Sequence, residues 1–418
     1  MSDRPLVSCQ HCAALHERTP LAPGATAACV RCGYTLYRQS TLSLDGWIAL
    51  VIGTIVVFAI ANYFPIVTLQ IAGFVTHASL PSALYLTWQN GHQTLAVMTG
   101  MFSFWMPLTQ LLCLLWALLA VRLHRVPKDF SYGMRLLGYV GHWSMVPVFM
   151  LGILVALVKF AGMAHVTLEP GIWAFAILTF LITGISRMTA RRLWILAEDA
   201  GLVEQTRLVG NHQDKLASCH ACGYMQPLAS EDQPEPCKRC GTSVHFRKPD
   251  QTARVWALII TAWVAYIPAN ILPVMRIRTA VSDSEHTILG GVIELWNYGS
   301  WDLALVVFVA SVVVPMTKLL ALMVLMMRRR WQGQQVQRQR TRLYELVEFI
   351  GQWSMLDVFV VILMSAMLDF PGISQVLAGP AAVSFGLVVI FTMLAAMSYD
   401  PRGGWDNQRE QHDRSKHV

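Results

Sequence analysis

Eight of the nine cysteines fall into two sets, Cys9-x2-Cys12-x16-Cys29-x2-Cys32 and Cys219-x2-Cys222-x14-Cys237-x2-Cys240. Two CxxC knuckles at such a separation can bring four thiolates into a tetrahedron, the closed geometry of a structural zinc site. Gly33, Gly223 and Gly241 follow three of the knuckles, where a tight turn favours a residue free to take positive φ. An iron site of rubredoxin type uses the same spacing, so the ligands are better specified than the metal. Disulfides suit an oxidising compartment, against the orientation argued below, and thioredoxin-like chemistry would need one CxxC on a βαβ background. Four thiolates leave no open coordination position. The expected cofactor is therefore two structural zinc ions, one per ribbon, each organising a segment too short to bury a core alone. His11, His16, His220 and His245, beside the knuckles, read as surface residues, and Cys113 as a small packing residue inside an apolar run.

A second kind of chemistry lies in two charges set within apolar runs, Lys318 and Asp357. Each costs about 2.5–3.5 kcal/mol at a helix centre, so such residues usually face a bundle interior, pair, and mark a pathway. Lys318 lies ten residues from Arg328 and Asp357 eight from Phe349. At a rise of ~1.5 Å per residue both sit roughly 12–15 Å deep. Ser311 precedes Lys318 by seven residues and Ser354 precedes Asp357 by three, spacings that keep each pair on one helix face. Thr392 falls at a similar depth in the last run. Ser311, Lys318, Ser354, Asp357 and Thr392 can thus form one polar cluster. The aligned positions in the first half are Gln110 and Pro147, without charge. That asymmetry favours a functional role over an interhelical salt bridge, and a Lys–Asp pair so placed could couple to protons.

The elements that must position these groups are membrane helices. Of 418 residues 55% are hydrophobic and 14% charged, against about 25% charged in soluble domains. Eight apolar stretches can each supply the ~20 residues that cross a bilayer: Trp47–Val67, Leu95–Val121, Tyr139–Phe160, Ile172–Ile185, Val255–Met275, Asp302–Met327, Phe349–Leu368 and Ala381–Ser398. The fourth is the shortest. The net charge of +7 follows the positive-inside rule rather than a nucleic-acid partner. Arg122, Arg125, Lys128 and Arg135 follow the second stretch, Arg187, Arg191 and Arg192 the fourth, and Arg328–Arg330 with Arg338, Arg340 and Arg342 the sixth. Residues 68–94 contain no Lys or Arg. Both termini and both cysteine segments are therefore expected in the cytoplasm. No apolar h-region precedes the first cysteines, so no cleaved signal peptide is expected.

The halves repeat. Ala61-Asn62-Tyr63-Phe64-Pro65 matches Ala269-Asn270-Ile271-Leu272-Pro273, Trp88 matches Trp296, and Pro107-x-Thr109 matches Pro315-x-Thr317, all at an offset of 208. Gly141-His142-Trp143-Ser144-Met145 matches Gly351-Gln352-Trp353-Ser354-Met355 at 210. Four spans per copy give both the same orientation, hence parallel repeats. Pro107 and Pro315, in mid-span, predict kinks. Ile66–Ile71 and Val292–Ile293 predict some strand in small extracytoplasmic loops. The expected fold class is an α-helical integral membrane protein with eight transmembrane helices in two parallel-repeat four-helix modules, each preceded by a cytoplasmic zinc ribbon. The expected divisions are ribbons at 1–40 and 205–248, modules at 41–200 and 249–400, and a cytoplasmic tail at 401–418.

With these features together, the two CxxC…CxxC ribbons, the repeated Ala-Asn-x-x-Pro and the Gly-x-Trp-Ser-Met motif, the chain resembles the paraquat-inducible protein A family, LetA-type members in particular. The resemblance spans the whole chain. It implies a bacterial inner-membrane protein partnered with a periplasmic MCE-domain protein that forms a tunnel, the pair moving phospholipids between membranes and supporting envelope integrity. It further implies that the polar network of Ser311, Lys318, Ser354, Asp357 and Thr392 serves transport. The sequence contains no G-x-x-x-x-G-K-[ST], G-x-S-x-G or H-E-x-x-H motif, and no enzyme activity is expected. Two other readings stay open: a non-transporting membrane scaffold for the MCE partner, and a proton-coupled small-molecule exporter.

Overall fold

The computed structural model describes residues 5–71, 74–160, 165–205, 216–229, 233–279, 283–297, 299, 301–327, 334–367 and 374–405. Two short hairpins come first, β1 (Leu6–Ser8) with β2 (Leu15–Glu17) and β3 (Thr26–Ala28) with β4 (Thr35–Arg38). The first half continues with α1 (Leu44–Tyr63), β5 (Val67–Ile71), β6 (Phe74–Ala78), α2 (Leu80–Gln89) and α3 (Gln93–Gly100). A π-helical turn, Met101–Trp105, leads into α4 (Met106–Arg122), then α5 (Phe130–Trp143), α6 (Val146–Phe160), β7 (His165–Leu168), α7 (Pro170–Ile185) and α8 (Ala190–Asp199).

The second half opens with β8 (Leu216–Ser218) paired to β9 (Met225–Pro227) and β10 (Glu235–Pro236) paired to β11 (Ser243–Val244). It then runs α9 (Gln251–Ile271), β12 (Met275–Thr279), β13 (Asp283–His286), α10 (Ile288–Asn297) and α11 (Trp301–Phe308). A second π-helical turn, Val309–Val313, precedes α12 (Val314–Met327) and α13 (Gln334–Gly351). A 3-10 turn, Gln352–Met355, joins α13 to α14 (Leu356–Met367), and β14 (Ser374–Ala378) and α15 (Pro380–Ser398) follow.

The chain is mostly helical. Among the described residues seven helices are long and apolar enough to cross a membrane, or up to eight if the pair α7–α8, bent by 55°, is one span. Apolar composition makes these helices in oil, because every backbone polar group must be met within the segment. Their ends are set locally. Ser43 caps α1 by accepting from the Gly46 N–H at 3.1 Å. The helix stops at Phe64, whose extended backbone suits the residue before Pro65.

At the end of the bundle away from the cysteine segments each half carries a three-stranded antiparallel sheet, ordered β6-β5-β7 and β13-β12-β14. Val67 pairs with Leu168 and Met275 with Ala378, tying the loop after the first helix to the start of the last. The strand expected at 66–71 is present as β5. Val292–Ile293 is not strand but lies within α10, where Thr287 accepts from the Gly290 N–H at 3.1 Å and starts a helix. The second half's central strand is β12 instead.

The Ala-Asn-x-x-Pro repeats have a shared physical role. Asn62 Nδ2 donates to Phe58 O and Asn270 Nδ2 to Tyr266 O, each at 2.8 Å, closing the last helical turn. Beyond it, Pro65 O accepts from the Gly171 N–H at 3.0 Å, and Pro273 O accepts from the Ala381 N–H at 3.2 Å. A Cβ on Gly171 would overlap Pro65 O, and one on Gly379 would overlap Pro273 O. Only glycine permits that close approach.

The two halves meet along α6 and α14. Phe149 and Phe359 pack edge to face at 5.5 Å, and a Cβ on Gly152 would touch Phe359 Cβ at 3.2 Å. Gly386 of α15 abuts the Met98 thioether of α3, adding a second contact across the halves.

Candidate functional site

In each cysteine set the four Sγ atoms lie within 4.8 Å of one another. The knuckles explain why. Each closes by an N–H to cysteine carbonyl bond: Ala13 to Cys9 O at 3.0 Å, Gly33 to Cys29 O at 2.8 Å, Gly223 to Cys219 O at 2.9 Å and Gly241 to Cys237 O at 2.8 Å. All four donors have positive φ, from 56° to 83°. Ala13, at φ 56°, holds the place that glycine holds in the other three. Left-handed backbone costs a residue with a Cβ about 1–2 kcal/mol, so the turn must be held by what it builds.

The thiols divide protons unequally. A hydrogen bond from Cys12 pushes Cys9 down to about 5, while the same contact pushes Cys12 up. In the second set the Cys219 hydrogen bond holds Cys237 down at about 6, and Cys222 is raised, first by Cys219. Four soft donors converging in a buried pocket fit one tetrahedral metal ion, with Cys9, Cys12, Cys29 and Cys32 or Cys219, Cys222, Cys237 and Cys240 as ligands. His16 Nε2 lies 3.2 Å from Cys29 Sγ, a hydrogen bond to a ligand rather than a ligand position of its own. His11 is a correction to its surface reading. It is buried, stacked on Tyr34 with centroids 3.8 Å apart, and its Nδ1 is 3.4 Å from Glu345 Oε1. Burial depresses its basicity.

Both cysteine units hold the halves together. The N-terminal unit packs on Trp405, whose carbonyl accepts from Arg31 at 3.0 Å, and Arg338 donates to Arg31 O at 3.1 Å. It also reaches α8, through Arg18 to Asp199 at 2.7 Å and Arg191 to Ser8 O at 2.8 Å. The second unit meets α8 through Arg239, paired with Glu198 and lying over the Tyr224 ring at 4.7 Å.

The polar residues of the second half gather where two helices are interrupted. Ser311 sits in the π-turn before Pro315, fully buried, its Oγ donating to Val307 O at 2.6 Å. A proline has no N–H, so one carbonyl of this turn lacks its helical donor. Lys318, 2% exposed, extends from α12 and donates from Nζ to Gly351 O at 3.4 Å. That carbonyl belongs to the last turn of α13, the end of a helix that attracts cations. Ser354 lies in the 3-10 turn, 2% exposed, its Oγ buried without a hydrogen-bond partner. Thr392 is buried on α15 and donates to Val389 O at 3.0 Å. The helix carrying Lys318 contacts the elements that carry Ser311, Ser354 and Thr392. Asp357 falls on the first turn of α14, and its side chain lies outside the described residues.

Two participants were absent from the sequence-derived set. Gly351 supplies the lysine's carbonyl, and a Cβ there would lie 3.0 Å from Nζ, so a larger residue would push the ammonium aside by a few tenths of an ångström. Its place at the head of the repeated Gly-x-Trp-Ser-Met motif was the available signal. The π-turns at Met101–Trp105 and Val309–Val313 were the other omission, and their signal was the paired mid-span prolines.

The profile of the family described as Paraquat-inducible protein A matches residues 44–198 and 252–409. The chain belongs to the paraquat-inducible protein A family. Within it, the chain is 31% identical to the "Intermembrane transport protein PqiA" of Escherichia coli (strain K12), over 98% of each protein. It is 28% identical to the "Lipophilic envelope-spanning tunnel protein A" of the same strain, over 95% of this chain and 90% of that one. A "Probable intermembrane transport protein" of Haemophilus influenzae is 28% identical over 96% of this chain and 95% of its own. No solved structure matches the chain. Each family-matched segment contains one π-turn and one of the interruptions at Ser144 and Gln352–Met355.

Proposed function

We propose that this protein is the inner-membrane subunit of an intermembrane lipid transport system, passing phospholipid to or from a periplasmic MCE-domain tunnel and thereby supporting outer-membrane integrity. In this reading α7 is the fourth of eight spans, the two halves are parallel four-helix modules, and α8 turns back along the cytoplasmic surface. Both termini and both ribbons are cytoplasmic, each ribbon holds one structural zinc, and the chain is not an enzyme.

The observation that carries the reading is Lys318. An ammonium buried in an apolar bundle costs about 2.5–3.5 kcal/mol, and among the described residues its acceptor is Gly351 O, a long contact at 3.4 Å. Beside it Ser354 Oγ has no partner. A 3-10 turn, a cation and the free Ser354 hydroxyl in one region suit transient contact with a phosphate headgroup, because Lys binds phosphate as a compact charge. The names of the relatives, intermembrane transport and envelope-spanning tunnel, point the same way.

Photocrosslinking tests this. A photoreactive amino acid at Ser354, in protein held in native lipid nanodiscs, should yield phospholipid adducts by mass spectrometry. A scaffold or a small-molecule exporter would give none, and that result would end the lipid reading.

A further inference from the structure

Helix α8 touches both cysteine units, and does so at each of its ends. Arg191 stands in its first turn, next to the Thr189 cap. Its Nη2 donates to Ser8 O at 2.8 Å, on the residue before the ligand Cys9. Against the same side chain, a Cβ on Gly223 would lie 3.0 Å from Nε, 3.5 Å from Cζ and 3.6 Å from Cγ. Gly223 follows the ligand Cys222 and closes its knuckle onto Cys219 O. One guanidinium is therefore in contact with the backbone of a knuckle from each unit. Seven residues on, two turns along α8, Glu198 repeats the pattern. Its Oε1 pairs with Arg239, which stands between Cys237 and Cys240, and its Oε2 lies 3.8 Å from Arg18 Nη1 of the first unit. Arg239 lies in turn over the Tyr224 ring at 4.7 Å and the Trp194 ring at 5.7 Å.

The charge at Arg191 runs against local rules. The first turn of a helix favours anions and disfavours cations, yet Arg191 and Arg192 stand there with no acidic residue. Among the described residues no carboxylate is ion-paired with Arg191. Burial works against its charge, and Tyr34, Cys9, Cys222 and Glu198 work in its favour. Two of those four are metal ligands, one from each unit. A divalent ion held by four thiolates keeps a net negative charge. Metal in both units thus brings the guanidinium the counter-charge that the first turn of α8 does not provide.

Position links the units as well as charge. Metal in the first unit fixes the Cys9 knuckle and with it the Ser8 carbonyl that aims Arg191 at the second. Metal in the second fixes the Gly223 turn against the same side chain. By thermodynamic linkage, each site strengthens the other by the same factor.

We infer that the two metal centres load and release as a coupled pair, with Arg191 as the positioning residue between them and Glu198 as a second tie. Loss of one metal then speeds loss of the other. The inference rests on the reading that each cysteine set holds a metal ion, and on nothing about the cargo.

The test is zinc release from the full-length, zinc-loaded protein in lipid nanodiscs to an excess of a pyridylazo-resorcinol chelator, followed by absorbance. Removing a residue that orients metal ligands typically costs about 10–100-fold in affinity, which sets the expected scale. Wild type should release both zinc ions in a single phase. Cys237→Ser keeps the first site, and its zinc should leave about tenfold or more faster than from wild type. Arg191→Met should speed release on the same scale, and adding Cys237→Ser to it should not accelerate the first site further. With cobalt(II) in place of zinc, the thiolate-to-metal absorption of Arg191→Met should move to longer wavelength, since a cation beside thiolates holds their electrons more tightly. A residue that only props α8 would leave that band in place. Two separate phases in wild type, wild-type release from Cys237→Ser or Arg191→Met, or an unmoved cobalt band each overturn the coupling while leaving the metal reading intact. A protein that binds neither metal overturns both. Should Arg191→Met fail to fold, the comparison of wild type with Cys237→Ser decides.

Discussion

Replacing Lys318 by methionine separates transport from architecture. Methionine has similar length and removes the charge. The wild-type ammonium costs about 2.5–3.5 kcal/mol to hold at depth. Against this, a hydrogen bond to a charged donor returns about 1.5–3 kcal/mol at good geometry, and the 3.4 Å reach to Gly351 O is long. The net effect of Lys318→Met on stability is therefore expected within about 2 kcal/mol of zero, on the stabilising side. Breaking a mutually satisfied buried ion pair would instead cost about 3–5 kcal/mol. Thermal unfolding in nanodiscs gives the first number, and complementation of an envelope-permeability defect gives the function. Preserved or raised stability with lost complementation is the expected outcome. Stability lost on the scale of a broken pair, with complementation intact, would refute the reasoning and make Lys318 a structural bridge.

Elemental analysis should return two zinc per chain and one after Cys237→Ser, since that set loses a ligand; iron in place of zinc would contradict the assignment. Gly379→Ala should destabilise by about 1–3 kcal/mol as the backbone yields to overpacking, because its Cβ would overlap Pro273 O; a silent substitution would mean that this junction is loose. Burial works to raise Asp400, but Arg402, hydrogen-bonded at 2.9 Å, holds its carboxyl below the usual range. A depressed folded-state pKa stabilises above the unfolded value of about 3.9, and the benefit fades as pH falls through the folded value. The stability gap between wild type and Asp400→Asn should accordingly shrink on acidification below about pH 4; a gap that widens instead would contradict this.

Which features were legible in the sequence follows from how local each signal is. The cysteine sets were legible because ligand spacing is nearly all that a knuckle needs, although Ala13 at φ 56° shows the turn forming without its glycine. Apolar runs announced the helices, and Lys318 stood out because a charge in such a run is rare. His11 was misread because its burial depends on Glu345 and Tyr344, more than three hundred residues away. Val292–Ile293 was misread because β-branched residues in a short apolar stretch do not distinguish strand from buried helix. The Gly-x-Trp-Ser-Met motif falls near the start of the apolar stretches Tyr139–Phe160 and Phe349–Leu368, whereas it marks an interruption within a longer helix, at Ser144 and at Gln352–Met355. The missing signal was length. Phe130–Val158 passes as one apolar helix by composition, and only the backbone reveals the break.

The most direct trial of the transport account is phospholipid transfer in a reconstituted system. Donor liposomes would hold this protein, acceptor liposomes would be bridged by the proposed periplasmic MCE-domain partner, and a fluorescent phospholipid would report exchange. Wild-type protein should accelerate transfer well above protein-free liposomes, and Lys318→Met should fall back to the protein-free rate. Equal rates for wild type and Lys318→Met, or no acceleration by either, would contradict the account.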